Sequence, residues 1–376
     1  MRRISSNLQH DDIQAALRRQ EVRTGNLNNQ ISNHRKIQNL RDDPLAAGHA
    51  VRYQSYLARL ERFETNGKTA IDRFSFAEGN VNQSLQIMHR VRELALTGAH
   101  GTFTPEDMKN IAVEVDQLLQ ELVQNANVQG PDGSRVFAGT KSFTEPFETV
   151  LGDVDGAGNP LIREVRYNGS VQGSELEIDE LGFLEAGFPG NQTFWAEQQT
   201  LFSEVDASAF IAKTDSSFDV DGIRVPVSAG DNVHSIIAKI NDSGAAVKAY
   251  LDPVTNGLNM ETTDAHQLWL SDSPGGDTLS SLGIIKTNQR PPYNLSPSTK
   301  ISGGSLFDTV IALRDALMQG DQEAVGSRVL GSLDAGIGNL ATRLSDIGSR
   351  YERTKATIAR LEVQQINTTA AESREA

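Results

Sequence analysis

The stretch Leu330-Gly331-Ser332-Leu333-Asp334-Ala335-Gly336-Ile337-Gly338-Asn339-Leu340-Ala341-Thr342-Arg343-Leu344 decides how the chain is read. Its pattern continues through Ile347, Tyr351, Ile358 and Leu361, so that apolar residues recur at alternating spacings of three and four, with Thr354 in the one polar slot. A repeat of 3.5 residues keeps one stripe turned toward a partner helix, here over about 48 Å at a rise of 1.5 Å per residue. Gly331, Gly336, Gly338 and Gly348 weaken such a helix in isolation, each by up to about 1 kcal/mol, so packing has to support it.

A partner with the same period lies near the other end of the chain. Arg41-Asp42-Asp43-Pro44 reads as an N-cap aspartate with proline in the first turn. Beyond it Tyr53, Leu57, Leu60, Ile71, Phe74, Val81, Leu85, Met88 and Ala95 form a stripe that breaks at Gly98 to Gly101. The bundle seam is therefore expected to hold Leu57, Leu60, Ile71, Phe74 and Leu85 against Leu333, Ile337, Leu340, Leu344, Ile347 and Tyr351. Thr104-Pro105-Glu106-Asp107 then opens a second helix carrying Ile111, Val115, Leu118, Leu119, Leu122 and Val123, closed by the turn Gly130-Pro131-Asp132-Gly133. Arg135 to Thr140 reads as a short extended piece. Ahead of Asp42, the residues Ile4, Leu8, Ile13, Leu17, Leu27 and Ile31 make a weaker stripe interrupted by Gln20, Thr24 and Gly25. Two readings of it stay open: a frayed terminus, or a segment that orders when a partner helix supplies the other face.

Between these flanks the composition changes. Of 376 residues, 49 are acidic and 35 basic, for a net charge of −14; residues 148–302 hold 22 acidic against 9 basic residues and eight of the twelve prolines. Balanced, proline-poor flanks predict helices, and the acidic, proline-rich middle predicts strands and turns. Phe218 to Val227 is two alternating runs around Asp221-Gly222, a strong hairpin signal, with Pro226 placing the second run at a sheet edge. Asp231 is expected to cap a helix bearing Val233, Ile236, Ile237 and Ile240, giving a ββα unit at 218–241. Strand-like runs follow at Val247 to Leu251, Leu258 to Thr262 and Leu268 to Leu270, and weaker ones precede at Ile162 to Tyr167 and Leu176 to Ile178. The predicted fold class is thus α+β: a long antiparallel helical bundle or coiled coil from both chain ends (43–147 with 303–376), a β-rich insert (148–302) and an N-terminal segment (1–42). Trp195 and Trp269 read as core anchors of the insert.

The same numbers exclude several kinds of chemistry. With no cysteine there is no disulfide or thiolate metal site. A net negative charge without clustered Lys and Arg argues against nucleic acid, and no apolar run is long enough for membrane insertion. The N-terminus has arginines but no apolar core behind them, unlike a secretory signal peptide. The seven histidines form no HxxxH or HExxH pair, and neither a GxSxG elbow nor a GxxxxGK[ST] loop is present. Asp153-Val154-Asp155-Gly156-Ala157-Gly158 with Glu164 approaches a calcium loop, but Ala157 stands where a ligand is required and no flanking helix is evident. The expectation is a non-enzymatic protein without cofactor or metal. The different-class alternative is a secreted calcium-dependent binding or hydrolytic protein that works through the acidic insert.

The layout and several motifs resemble the bacterial flagellin-type family. Gln30-Ile31-Ser32 with Asp42-Asp43-Pro44-Leu45-Ala46-Ala47 resembles the family's hinge between terminal rod helix and inner bundle. Val91 to Leu96 and Val136-Phe137-Ala138-Gly139-Thr140-Lys141 are similar to its signature pieces. The Phe-Ala-Gly-Thr run, the small insert and Leu306 to Leu317 look more like its hook–filament junction branch than like filament flagellin, and Phe218 to Asn241 resembles a short repeat of the family's inserts. Gly190 to Ala196 resembles spirochaete versions, for which the flagellum would be periplasmic. Asn33-His34-Arg35-Lys36 departs from the family's Ser/Thr-Gly-x-Arg pattern, and the chain stops at Ala376 where members continue into a C-terminal rod helix, so a truncation is expected there. The resemblance implies a structural adaptor exported by the flagellar export apparatus with its chaperone. Its partners would be other copies in a ring, hook-associated protein 1 and filament flagellin. It also implies an assembly stripe of Leu8, Ile13, Leu17, Leu27 and Ile31, and a hinge at Asp42, Asp43 and Pro44.

Overall fold

Small side chains set the packing of the longest helix. In the computed structural model, which describes residues 5–33, 44–100, 103–287 and 289–375, α1 (Ser5–Asn33) is followed by α2 (Pro44–Ala99). Along α2 one buried row runs Leu60, Phe63, Gly67, Ala70, Phe74, Ala77, Val81, Ser84, Met88, Val91, Ala95 and Gly98, three and four apart throughout, with Ile87 and Leu94 buried beside it. Half of the stripe is Gly, Ala or Ser, which a reading by large apolar residues passes over. Leu57, Ile71 and Leu85 are half-buried along its flank.

α3 (Pro105–Ala126) starts as its sequence predicts, with Thr104 and Asp107 in a reciprocal capping box and Pro105 in the first turn. The 135–140 piece is not a strand. It is a series of turns with isolated bridges, Gln129 to Arg135 and Ala138 to Pro189. Gly139 is the reason: its φ is +63°, and an added Cβ would stand 2.5 Å from the Ser170 carbonyl oxygen and 2.6 Å from that of Gln172. Only glycine fits so close to two backbone carbonyls at that φ.

The remaining elements are β1 (Phe147–Gly152), β2 (Leu161–Tyr167), β3 (Glu175–Asp179), β4 (Gly182–Glu185), α4 (Gly190–Thr193), β5 (Thr200–Ser203), β6 (Ser216–Val220), β7 (Ile223–Val227), α5 (Val233–Asp242), β8 (Val247–Leu251), β9 (Leu258–Thr262), β10 (Leu270–Asp272), α6 (Thr278–Ser281), β11 (Thr299–Ser302), α7 (Leu306–Gln319), α8 (Gln322–Ala324), a π-helical turn at Val325–Val329 and α9 (Leu330–Glu375). β1–β2 and β3–β4 are antiparallel two-stranded ribbons; β10-β6-β7 and β11-β5-β9-β8 are the larger sheets. Asp221 and Gly222 both take positive φ, +51° and +80°, as a tight two-residue hairpin requires, and Pro226 lies on the edge strand β7. The cap of α5 is Asn232, whose side chain accepts from the Ser235 amide. Asp231 instead accepts from the Ser228 amide and pairs with Lys239. Phe218, Val225, Ile236, Ile240, Val247 and Met260 centre a core shared by both sheets and α5.

The chain divides into two compact units, residues 1–68 with 177–182 and 355–376, and residues 69–176 with 183–354. In the first, Leu60, Phe63 and Leu361 form a small core with Tyr56 against it. In the second, α3 packs on α7, Arg92 of α2 pairs with Asp334 of α9 at 2.5 Å, and the Asn125 side chain of α3 donates to the Asn80 carbonyl of α2 at 2.7 Å.

Candidate assembly surfaces

α1 is a polar helix with an uncovered apolar stripe. Ile13, Leu17, Leu27 and Ile31 share one side and are between 49% and 69% exposed; Val22, also exposed, lies on the opposite side. Its internal bonds are local, Arg19 Nε to the Ala15 carbonyl and Thr24 Oγ1 to the Gln20 carbonyl. The Leu8 side chain, and Asp42 and Asp43 of the expected hinge, lie outside the described residues; Pro44 is exposed at the first position of α2.

α9 shows two faces at heptad spacing. Leu333, Leu340, Ile347, Thr354, Leu361 and Thr368, each seven residues after the last, are all buried. Ile337, Leu344 and Tyr351 are half-buried beside them. Beside this row runs a polar one, Ser332, Asn339, Arg343, Asp346 and Arg350, that fastens the helix to the insert. Asn339 Nδ2 donates to the carbonyls of Trp195, at 2.6 Å, and Gln192, at 3.2 Å. Arg350 pairs with Glu185 at 3.1 Å and with Asp346 at 3.0 Å, and Ser332 bonds to Glu197. Read from sequence, these residues are an ordinary solvated face; only the insert that covers them makes them structural.

Arg343 leads to the most closely knit polar cluster of the insert. Its Nη2 lies 2.6 Å from Asp264 Oδ2, and Asp264 Oδ1 lies 2.9 Å from Nδ1 of the buried His266. On the other side of the ring Nε2 is 3.0 Å from Oδ2 of Asp221, the hairpin-turn aspartate, whose Oδ1 accepts from the Trp269 amide. Burial disfavours the imidazolium, but the hydrogen bonds and charges of Asp221 and Asp264 outweigh it and raise His266 to about 9. Hydrogen bonding from His266, against the cost of burial and with help from Arg343, lowers Asp264 to about 2. The cluster ties a hairpin turn to α9; no spacing in the sequence announces it, because its members are 45 and 79 residues apart in pairs.

Arg314 of α7 is likewise fully buried, bonded through Nη1 to Asp116 of α3 at 2.8 Å and through Nε and Nη2 to Asp315. Among the described residues no three of His, Asp and Glu converge as metal ligands. Glu164, the twelfth position of the calcium-like loop, is engaged by Arg166 with two bonds of 2.9 and 3.0 Å. Among the same residues no helix is long and apolar enough to cross a membrane.

Comparison with known proteins matches residues 4–142 to the bacterial flagellin N-terminal helical region and residues 211–264 to the flagellin hook IN motif. The chain is 23% identical over 253 residues to flagellar hook-associated protein 3 of Escherichia coli, covering 66% of this chain and 75% of that one. It is 25% identical over 246 residues to flagellin of Salmonella muenchen, covering 62% of this chain but 46% of that protein. The fold resembles the crystal structure of the flagellar junction protein from Legionella pneumophila, with a TM-score of 0.50 at 18% identity, covering 88% of this chain and all of that one.

Proposed function

We propose that this chain, which carries the flagellin N-terminal helical region and the hook IN motif, is a structural adaptor of the bacterial flagellum that joins hook to filament. The observation that carries the reading is the uncovered stripe of α1, Ile13, Leu17, Leu27 and Ile31, on a helix otherwise mostly polar. Twenty-nine residues of helix with one apolar face and no core of its own gain stability by packing against another helix. In this reading α1 packs into the axial tube beside other copies, hook-associated protein 1 and flagellin. Asp42, Asp43 and Pro44 set the angle between α1 and the bundle, and residues 148–302 face outward. The acidic outer region, with most of the net charge of −14, keeps protruding parts of adjacent copies apart and soluble. Delivery is through the flagellar export apparatus with its chaperone, to the outside of the cell or, in a spirochaete, to the periplasm.

Electron microscopy of cells lacking the gene tests this directly. Hooks without filaments, together with exported but unpolymerised flagellin, support the junction role; normal filaments refute it. Replacing Leu17 and Ile31 by Asp should abolish incorporation and leave the melting of α2, α3, α7 and α9 unchanged. The rival reading, a filament flagellin, requires far more copies per flagellum than a junction ring, and quantifying the protein in isolated flagella separates them.

A further inference from the structure

His266 is 2% exposed and meets acceptor oxygens on both sides of its ring. Nε2 lies 3.0 Å from Oδ2 of Asp221, and Nδ1 lies 2.9 Å from Oδ1 of Asp264 and 3.1 Å from the Asp264 backbone carbonyl. Ionised carboxylates and carbonyls only accept, whereas a neutral imidazole has one N–H and one bare lone pair. Both sides are satisfied together only when the ring carries both protons, so the geometry calls for an imidazolium. Asp221, His266, Asp264 and Arg343 then form a row of alternating charge with no excess of either sign.

The row joins distant parts of the chain. Asp221 is the turn of the β6–β7 hairpin, at a φ of +51°, and is bonded twice to the backbone of Trp269, through its own amide and through Oδ1. Asp264 follows β9, and residues 211–264, which hold both aspartates, are the stretch matched to the hook IN motif. Arg343 stands on α9 and reaches Asp264 through Nη2, while its Nε is buried without a partner among the described residues. The other polar fasteners of α9, Ser332, Asn339 and Arg350, hold residues 185–197 instead.

We propose that His266 is a proton-held clasp: the imidazolium keeps Asp264 turned toward Arg343, and loss of the Nδ1 proton loosens the β6–β7 turn and its ββα unit on α9 while the helices stay packed. Asp264 is half-buried, so that proton leaves to water on its side, and the neutral ring keeps Nε2–H on Asp221. The Nδ1 lone pair then faces two acceptors, and Asp264 swings away and gives up Arg343. From the hairpin turn the ring faces Asp221 and from its own segment Asp264; Arg343 of α9 stands behind Asp264, with Asp346 and Arg350 beyond it paired to each other. Burial disfavours the charge, but the two aspartates outweigh it and raise the ring to about 9, so the clasp is shut at neutral pH and opens in alkali. The clasp itself does not depend on the adaptor role. Its consequence does: an exported adaptor meets the pH of its surroundings, and in an alkaline medium it carries a looser insert.

Asp221→Asn tests this without changing the shape of the turn. Asparagine tolerates the positive φ, its Oδ1 still accepts from the Trp269 amide, and its Nδ2 donates to a bare Nε2, so a neutral ring can satisfy both sides with Nδ1–H on Asp264. In nitrogen-15-labelled protein the His266 ring, recognised by its loss in His266→Gln, should be doubly protonated at neutral pH and titrate at about 9. Asp221→Asn should lower that midpoint by about one unit or more, as for removal of an adjacent opposite charge. Because the chain has no cysteine, spin labels on Arg224→Cys of β7 and Ala341→Cys of α9, both exposed, report a single distance. Its distribution should broaden through the same midpoint in the parent and stay narrow in Asp221→Asn, with far-UV circular dichroism level in both. A neutral ring at neutral pH, a midpoint unmoved by Asp221→Asn, or a distance that ignores the titration overturns the clasp.

Discussion

Arg314 carries a charge with no access to water, and its worth lies in what its removal leaves behind. Replacing it by Ala strands Asp116 in the α3–α7 interface, and unfolding in urea should show a loss of about 3–5 kcal/mol. Replacing Arg314 by Met together with Asp116→Leu removes both charges and should recover most of that loss. His266 makes a pH-dependent contribution whose sign follows from its raised value. Folding favours the proton, so the stabilisation is complete below pH 6.5 and fades as pH rises through about 9. The shift corresponds to about 3 kcal/mol, and His266→Gln should flatten the alkaline limb of a stability–pH profile by that amount. Asp264 works in the opposite direction: its contribution is complete above pH 3.8 and is lost as pH falls toward 2. An alkaline limb unchanged by His266→Gln would remove the cluster from the stability of the insert.

Helix α2 shows what a seam of small residues demands. Ala70, Ala77 and Ser84 let neighbouring backbones approach, and Ala77 has no exposed surface at all. Ala77→Leu should overpack the seam and cost about 1–3 kcal/mol in chemical denaturation, whereas Leu57→Ala on the half-buried flank should cost less. That ordering inverts the one the sequence suggests, in which Leu57 is a seam residue and Ala77 is not. Gly98 belongs to the same row: a Cβ there would stand 2.4 Å from Leu317 Cδ2. In α9 the interplay differs, because the buried row at 333, 340 and 347 is flanked by polar residues that are engaged rather than solvated. Asn339→Leu is expected to lower the melting temperature despite adding apolar surface, since the Trp195 and Gln192 carbonyls lose their donor.

Across the whole molecule, repulsion between copies opposes assembly. Raising ionic strength from about 0.01 M to 0.1 M shortens the Debye length from about 30 to 10 Å and should strengthen self-association, read by sedimentation velocity. If association instead weakened with salt, charge pairing between copies would have to drive the contact. By itself the sequence determined the helical flanks, the capping box at Thr104, the Asp221-Gly222 hairpin with its edge proline, the strands β2, β3, β8 and β9 and the stripe of α1; it passed over β1, β4, β5 and β11 and set β10 two residues early. Each feature it determined is a local matter of period, cap or turn, decided within a few residues. The tertiary structure alone decided that the α2 stripe is half small residues, that 135–140 turns rather than extends, and that Asn232 rather than Asp231 caps α5. It also decided that Asp221, Asp264, His266 and Arg343 meet in one cluster. These depend on which surfaces approach from elsewhere in the chain, and a buried alanine or a paired arginine looks the same in sequence as an exposed one.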